Sequence, residues 1–106
     1  MLVHQLGDMV KGWFVGDFAP VAFRTAAVEV GVKEYKAGDA EAAHYHKVAT
    51  ELTVIATGTV RMFGREFGPG SIVTVEPGDV TAFEALTDTV TVVVKLPSAK
   101  DDKFLA

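Results

Sequence analysis

The sequence predicts a single all-β domain, an antiparallel barrel or sandwich, on three observations. Its dominant pattern is a two-residue alternation of apolar and polar side chains, the period of a strand with one wet face. Glycine and proline interrupt that pattern at short intervals, so the strands must be short and closely spaced. The length, 106 residues of which 49% are hydrophobic, suits one compact domain with a real core.

The elements follow in chain order. Residues 4–11 have room for one helical turn, inside an N-terminal arm spanning 1–24. In that arm Trp13 and Phe14 are expected to pack over the barrel or across a dimer, with stacking on a ligand as the alternative. The barrel proper is expected over about 25–97. TAAVEVGVKEY (25–35) sets Ala26, Val28, Val30 and Val32 on one face, and Thr25, Glu29 and Lys33 on the other. In ELTVIAT (51–57) both faces are fairly apolar: Leu52, Val54 and Ala56 against Thr53 and Ile55. Such a strand is covered on both sides. The cover is either a second layer of the same chain or a partner subunit, and a homodimer is the expectation. Residues 58–80 read as short strands broken at Gly64, at Gly68-Pro69-Gly70 and at Pro77-Gly78-Asp79. Val60, Met62, Phe63 and Phe83 are expected in the barrel core, and Arg61 and Arg65 in solvent. TVTVVVKLP (89–97) is expected to turn Val90, Val92, Val94 and Leu96 inward, with Thr91 and Lys95 outward. The tail, 98–106, is polar and expected on the surface.

Composition closes several routes. The absence of cysteine removes disulfides, thiolate metal sites and cysteine nucleophiles. The net charge of −4 comes from scattered acids, and no Lys/Arg cluster is present, so nucleic acid is not an expected partner. No apolar run approaches the ~20 residues that span a bilayer. MLVHQLGDMVKGWF does not read as a signal peptide, so no membrane partner and a cytoplasmic location are expected. There is no phosphate loop, dinucleotide fingerprint or nucleophile elbow.

The stretch AAHYHKVATE (42–51) carries the chemistry. On a strand, residues two apart share a face, so His44 and His46 project together and Tyr45 points away. Glu51 has the wrong parity for the same strand. If Lys47–Thr50 turns, Glu51 opens a new strand and faces the pair from beside it. Two imidazoles and a carboxylate on one side of an ion leave open positions opposite, an arrangement that suits Fe, Zn, Mn, Ni or Co. By itself a His-x-His pair on a strand serves equally well in packing or at the surface.

The wider string is G-x5-H-x-H-x4-E-x6-G, with Gly38, His44, His46, Glu51 and Gly58 at its fixed positions. It resembles the first signature of the cupin superfamily at every position and spacing. The resemblance, over about 25–97, implies a cupin-type antiparallel β-barrel, the double-stranded β-helix or jelly roll. It also implies that His44, His46 and Glu51 bind a divalent transition metal (Fe, Mn, Ni or Zn) inside the barrel. The family's second signature, G-x5-P-x-G-x2-H-x3-N, is matched only in part by GSIVTVEPGDVTAFEA (70–85). Gly70 and Gly78 fit, Pro77 is displaced by one, Thr81 fills the histidine slot and Ala85 the asparagine slot. His4 is the only other histidine and lies far outside. The displaced proline leaves two registers open, one turning Thr81 and Phe83 inward and the other Ala82 and Glu84. The pocket candidates are therefore Thr81, Phe83 and Glu84. The expected function is a metal-dependent cupin acting on or binding a small polar molecule, with oxygenase- or isomerase-like chemistry. The alternatives are a metal-free sugar isomerase or epimerase, and a non-catalytic small-molecule binding module.

Overall fold

The computed structural model describes residues 1–106 and is built almost wholly of strands. Two short 3-10 turns, Leu6–Asp8 and Val10–Gly12, precede β1 (Trp13–Gly16), β2 (Phe23–Arg24), β3 (Glu29–Tyr35), β4 (Ala40–Tyr45), β5 (Thr50–Thr57) and β6 (Val60–Met62). β7 (Arg65–Phe67), β8 (Ile72–Val75), β9 (Thr81–Ala85), β10 (Thr89–Leu96) and β11 (Phe104–Leu105) follow. They form a six-stranded sheet in the order β2-β1-β3-β10-β5-β8 and a five-stranded sheet in the order β11-β4-β9-β6-β7. All pairings but β1 with β2 are antiparallel. This is the expected two-sheet jelly-roll barrel, and no helix is long and apolar enough to cross a membrane.

Apolar side chains fill one end of the space between the sheets. Ile55, Val73 and Val75 come from the six-stranded sheet, and Val60, Met62, Phe83 and Ala85 from the other, with Tyr35 and Phe67 against them. Ile55, Val60 and Ala85 are completely buried. β5 leaves for β6 through Gly58, whose φ of +86° favours glycine and whose absent side chain leaves room for the Asp88 carbonyl. Phe63, expected in the core, instead takes a φ of +52° in the β6–β7 turn and is 41% exposed.

The register of β9 resolves the open choice. Thr81, Phe83 and Ala85 face the interior, and Ala82 and Glu84 face out. Glu84, a pocket candidate, instead ion-pairs with Arg61 at 3.1 Å on the outer surface. The displaced proline is absorbed in the turn before the strand, so the parity of β9 is kept.

The polarity of β10 is the reverse of the expectation. Thr89, Thr91 and Val93 are buried toward the interior, while Val90, Val92 and Val94 form the outer face. β3 follows suit, with Gly31, Lys33 and Tyr35 inward beside Thr91 and Val93, and Val30 and Val32 outward. Hydrophobic counting fails here because this lumen is polar. The valines line up instead across the outside, in rows Val32–Val92–Val54–Ile72 and Val30–Val94–Leu52.

The sheets also reach beyond the expected limits. β1 joins β3 from within the N-terminal arm, and β11 joins β4 from within the tail. The tail is therefore not a surface appendage: Asp102 is buried within it.

If the seven-residue cluster is the core, Ile55→Ala should cost about 2–5 kcal/mol, the range for truncating a fully buried aliphatic side chain. Denaturant unfolding of the purified variant beside the parent measures it.

Candidate functional site

The other end of the sandwich stays open as a cavity of about 220 Å³. The chain's crossing between sheets places its key side chains. β4 belongs to the five-stranded sheet and β5 to the six-stranded one, so the loop from His46 to Ala49 spans the gap. His44 and His46 look in from one wall and Glu51 from the other, and all three line the cavity. Thr81 and Phe83 line it too; Glu84 and His4 do not.

The two imidazoles are held alike. The Nδ1–H of His44 donates to the Ala42 carbonyl at 2.9 Å, and that of His46 donates to the Asp102 carbonyl. A carbonyl only accepts, so each Nδ1 carries a proton, and in the neutral ring Nε2 is the free acceptor. The rings stand edge to face with centroids 5.5 Å apart. His46 is 3% exposed, and its buried Nε2 has no hydrogen-bond partner. Glu51 Oε1 lies 3.8 Å from it, too far for a hydrogen bond. Two atoms each ~2.1 Å from one ion stand at most ~4.2 Å apart, so this separation admits an ion between them. The donor set thus has the chemistry of a divalent-metal site, with the second ring nitrogen of each histidine anchored as metal-bound histidines usually are. As the side chains stand, no three of the chain's His, Asp or Glu groups are drawn tightly enough to hold one.

Charge couples the same residues. The Glu51 carboxylate raises the pKa of His46, burial opposes it, and the Asp102 carbonyl assists. Burial pushes Glu51 up, but His46, Lys95 and His44 outweigh it and hold the carboxyl below its ordinary range. Thr81, in the histidine slot, has its hydroxyl committed to the backbone: it accepts from the Phe63 N–H at 2.9 Å and donates to the Ala82 carbonyl at 2.7 Å.

Sequence reasoning missed two parts of the site. The first is Asp102. Its carboxylate accepts the N–H groups of Lys47, Val48 and Ala49 at 2.8, 3.1 and 2.9 Å, and so fixes the loop that joins His46 to Glu51. Nothing local in KDDKF announces it, because the contact spans more than 50 residues. The second is the six-stranded wall, with Lys33, Thr91 and Lys95 inward and the Trp13 ring among them. A signal for it existed. β10 alternates valine with threonine as evenly as β5 alternates two apolar faces, and a polar lumen selects the threonines.

No family model and no curated protein matches the sequence. Solved structures do match in shape. A conserved protein with a double-stranded β-helix domain from Klebsiella pneumoniae superposes with a TM-score of 0.70 at 21% identity, over 77% of this chain and 72% of that one. The DMSP lyase DddQ from Ruegeria pomeroyi gives 0.72 at 23% identity, over 89% of this chain and 49% of that one. An RmlC-like cupin from Shewanella frigidimarina gives 0.65 at 15% identity, over 73% and 72%. The likeness establishes the fold: this chain is a small double-stranded β-helix of the cupin type.

Burial pushes the Asp102 carboxyl up, but the three N–H donors outweigh it and hold its pKa below the usual value. A depressed carboxyl stabilises the fold fully above its unfolded value, ~3.9, and loses that contribution as pH falls through the lower folded value. Asp102→Asn should therefore cost about 1.5–3 kcal/mol at neutral pH. The gap between parent and variant in chemical denaturation should stay flat near neutrality and narrow only in acid.

Proposed function

We propose that this protein is a metal-dependent cupin that binds or transforms a small polar molecule, its divalent metal held by His44, His46 and Glu51. One observation carries the reading. Both histidines spend their Nδ1–H on backbone carbonyls, which leaves a buried, partnerless Nε2 on His46 beside the Glu51 carboxylate. An orphaned acceptor in a buried site is costly unless something binds it. A transition metal there would supply Lewis acidity toward a substrate oxygen, or a redox centre if it is iron. The chain's own contributions are distinct. Asp102 fixes the loop between the ligands, the Ala42 and Asp102 carbonyls set the tautomers, and Phe83, Met62 and Val75 keep one side of the cavity apolar. The lyase among the fold's neighbours fits a lumen used for chemistry.

A second reading rests on the same pair. His46 beside Glu51, with its pKa raised, is also the pairing of a metal-free general base, as a sugar isomerase or epimerase would use. Elemental analysis of tag-free protein separates the two. The metal reading expects about one equivalent of a transition metal per chain, lost in His44→Ala and His46→Ala. It fails if no metal is retained after reconstitution with Zn, Mn, Ni and anaerobic Fe(II).

We also infer a homodimer formed through the outer face of the six-stranded sheet. Val92 sits in register between Val32 and Val54, with Ile72, 64% exposed, completing the row. Rows of aliphatic side chains on a sheet face call for cover, and a twofold axis would lay the stripe on its own copy. Light scattering after gel filtration should give twice the chain's 11.3 kDa, and Val92→Lys should return the monomer.

A further inference from the structure

The six-stranded wall of the cavity has its own chemistry. Four lysines, Lys11, Lys33, Lys95 and Lys103, line the space against two carboxylates, Glu41 and Glu51. A chain of net charge −4 therefore concentrates positive charge in its one metal-candidate cavity. Lys33 and Lys95 approach the same Trp13 ring, with Nζ atoms 5.0 and 5.2 Å from its centroid. Lys33 is half-buried and makes no ion pair, and burial lowers its pKa against the pull of Glu41. The Lys95 side chain is only 19% exposed, and its one ion-pair partner, Glu51, lies at the long distance of 3.9 Å. Both are ammonium groups held in a partly dry space without a close anion, a costly arrangement unless an anion completes it.

Three further features converge here. Thr91 stands opposite Lys33 in the register, is 1% exposed, and has a hydroxyl with no hydrogen-bond partner. Gly31 makes the platform possible: a side chain there would come within 2.8 Å of the Trp13 ring, so the absence of a Cβ in mid-strand seats the indole against the sheet. Lys11, at the rim, has a φ of +51°, a conformation a lysine rarely adopts and one that recurs at binding sites.

We propose that the cavity takes a small carboxylate-bearing molecule whose carboxylate is paired by Lys33 and Lys95, the two ammonium groups seated on the Trp13 ring, and accepts the Thr91 hydroxyl. This rests on the functional reading of the cavity given above and adds its substrate class. Two ammonium groups and a neutral donor match the acceptor lone pairs of a carboxylate. The cavity suits a short molecule; of the proposed metal set, His44 and His46 lie on the opposite wall and Glu51 lies beside Lys95 on the same one.

The test is a titration of chelator-stripped protein with malonate, and with malonamide as its uncharged counterpart. It is followed by calorimetry and by the emission of Trp13, the sole tryptophan. Malonate is expected to bind saturably and malonamide not to bind. Lys33→Gln and Lys95→Gln should each weaken malonate about tenfold or more, as loss of a charge-assisted contact does, and Thr91→Val should weaken it less. Lys33→Arg, which keeps the charge, should restore most of the affinity. Equal binding of the two probes, no saturable binding of malonate, or malonate binding unchanged in folded lysine variants would overturn the proposal. Because the titration uses metal-free protein, a failed metal assignment leaves its result standing. A failed titration leaves the metal content of the parent protein untouched.

Discussion

The carboxylate of Asp102 is the contact on which the site depends. Three consecutive N–H groups, those of Lys47, Val48 and Ala49, belong to a loop that must leave one sheet and enter the other, so no strand can pair them. Left alone in a partly buried loop, each would be an unsatisfied donor. One carboxylate satisfies all three, and the carbonyl of the same residue fixes the His46 ring. The loop's conformation and the histidine's tautomer are thus set together. Through the loop, so is the approach of Glu51 to His46, from opposite walls of the sandwich.

The division of the interior follows from the same crossing. At one end, aliphatic and aromatic side chains from both sheets meet and exclude water. At the other, histidines, glutamate, threonines and lysines line an open cavity. Tyr35 and Phe83, with ring centroids 4.6 Å apart, mark the boundary and touch both halves. The stability of the fold therefore comes from one end and leaves the other free to carry polar groups that a packed core would reject.

Much of this was legible in the sequence, and the failures have a common cause. Alternation and turn residues gave the strands, and the resemblance carried by Gly38, His44, His46, Glu51 and Gly58 pointed to three residues that line the cavity, but Glu51 was expected beside the histidines and stands on the opposite sheet. Binary patterning misread β10, because it assumes that valines go inside. In a sandwich whose lumen carries polar side chains and whose outer face carries aliphatic ones, that rule inverts, and with it went Lys33, Thr91 and Lys95. The register of β9 needed the structure because a one-residue displacement of proline is absorbed as easily in a turn as in a strand. Asp102 was invisible because a contact across 56 residues leaves no local trace.

That separation has a consequence in time. A loop of such length closes at an entropic cost that only an already folded scaffold offsets. β10 pairs with β5 and β3 without the tail, whereas the N–H groups of Lys47, Val48 and Ala49 find their acceptor only when Asp102 docks. On a ribosome, His46 emerges 56 residues ahead of the group that orients it. The orientation of His46 therefore waits on a segment near the far end of the sequence.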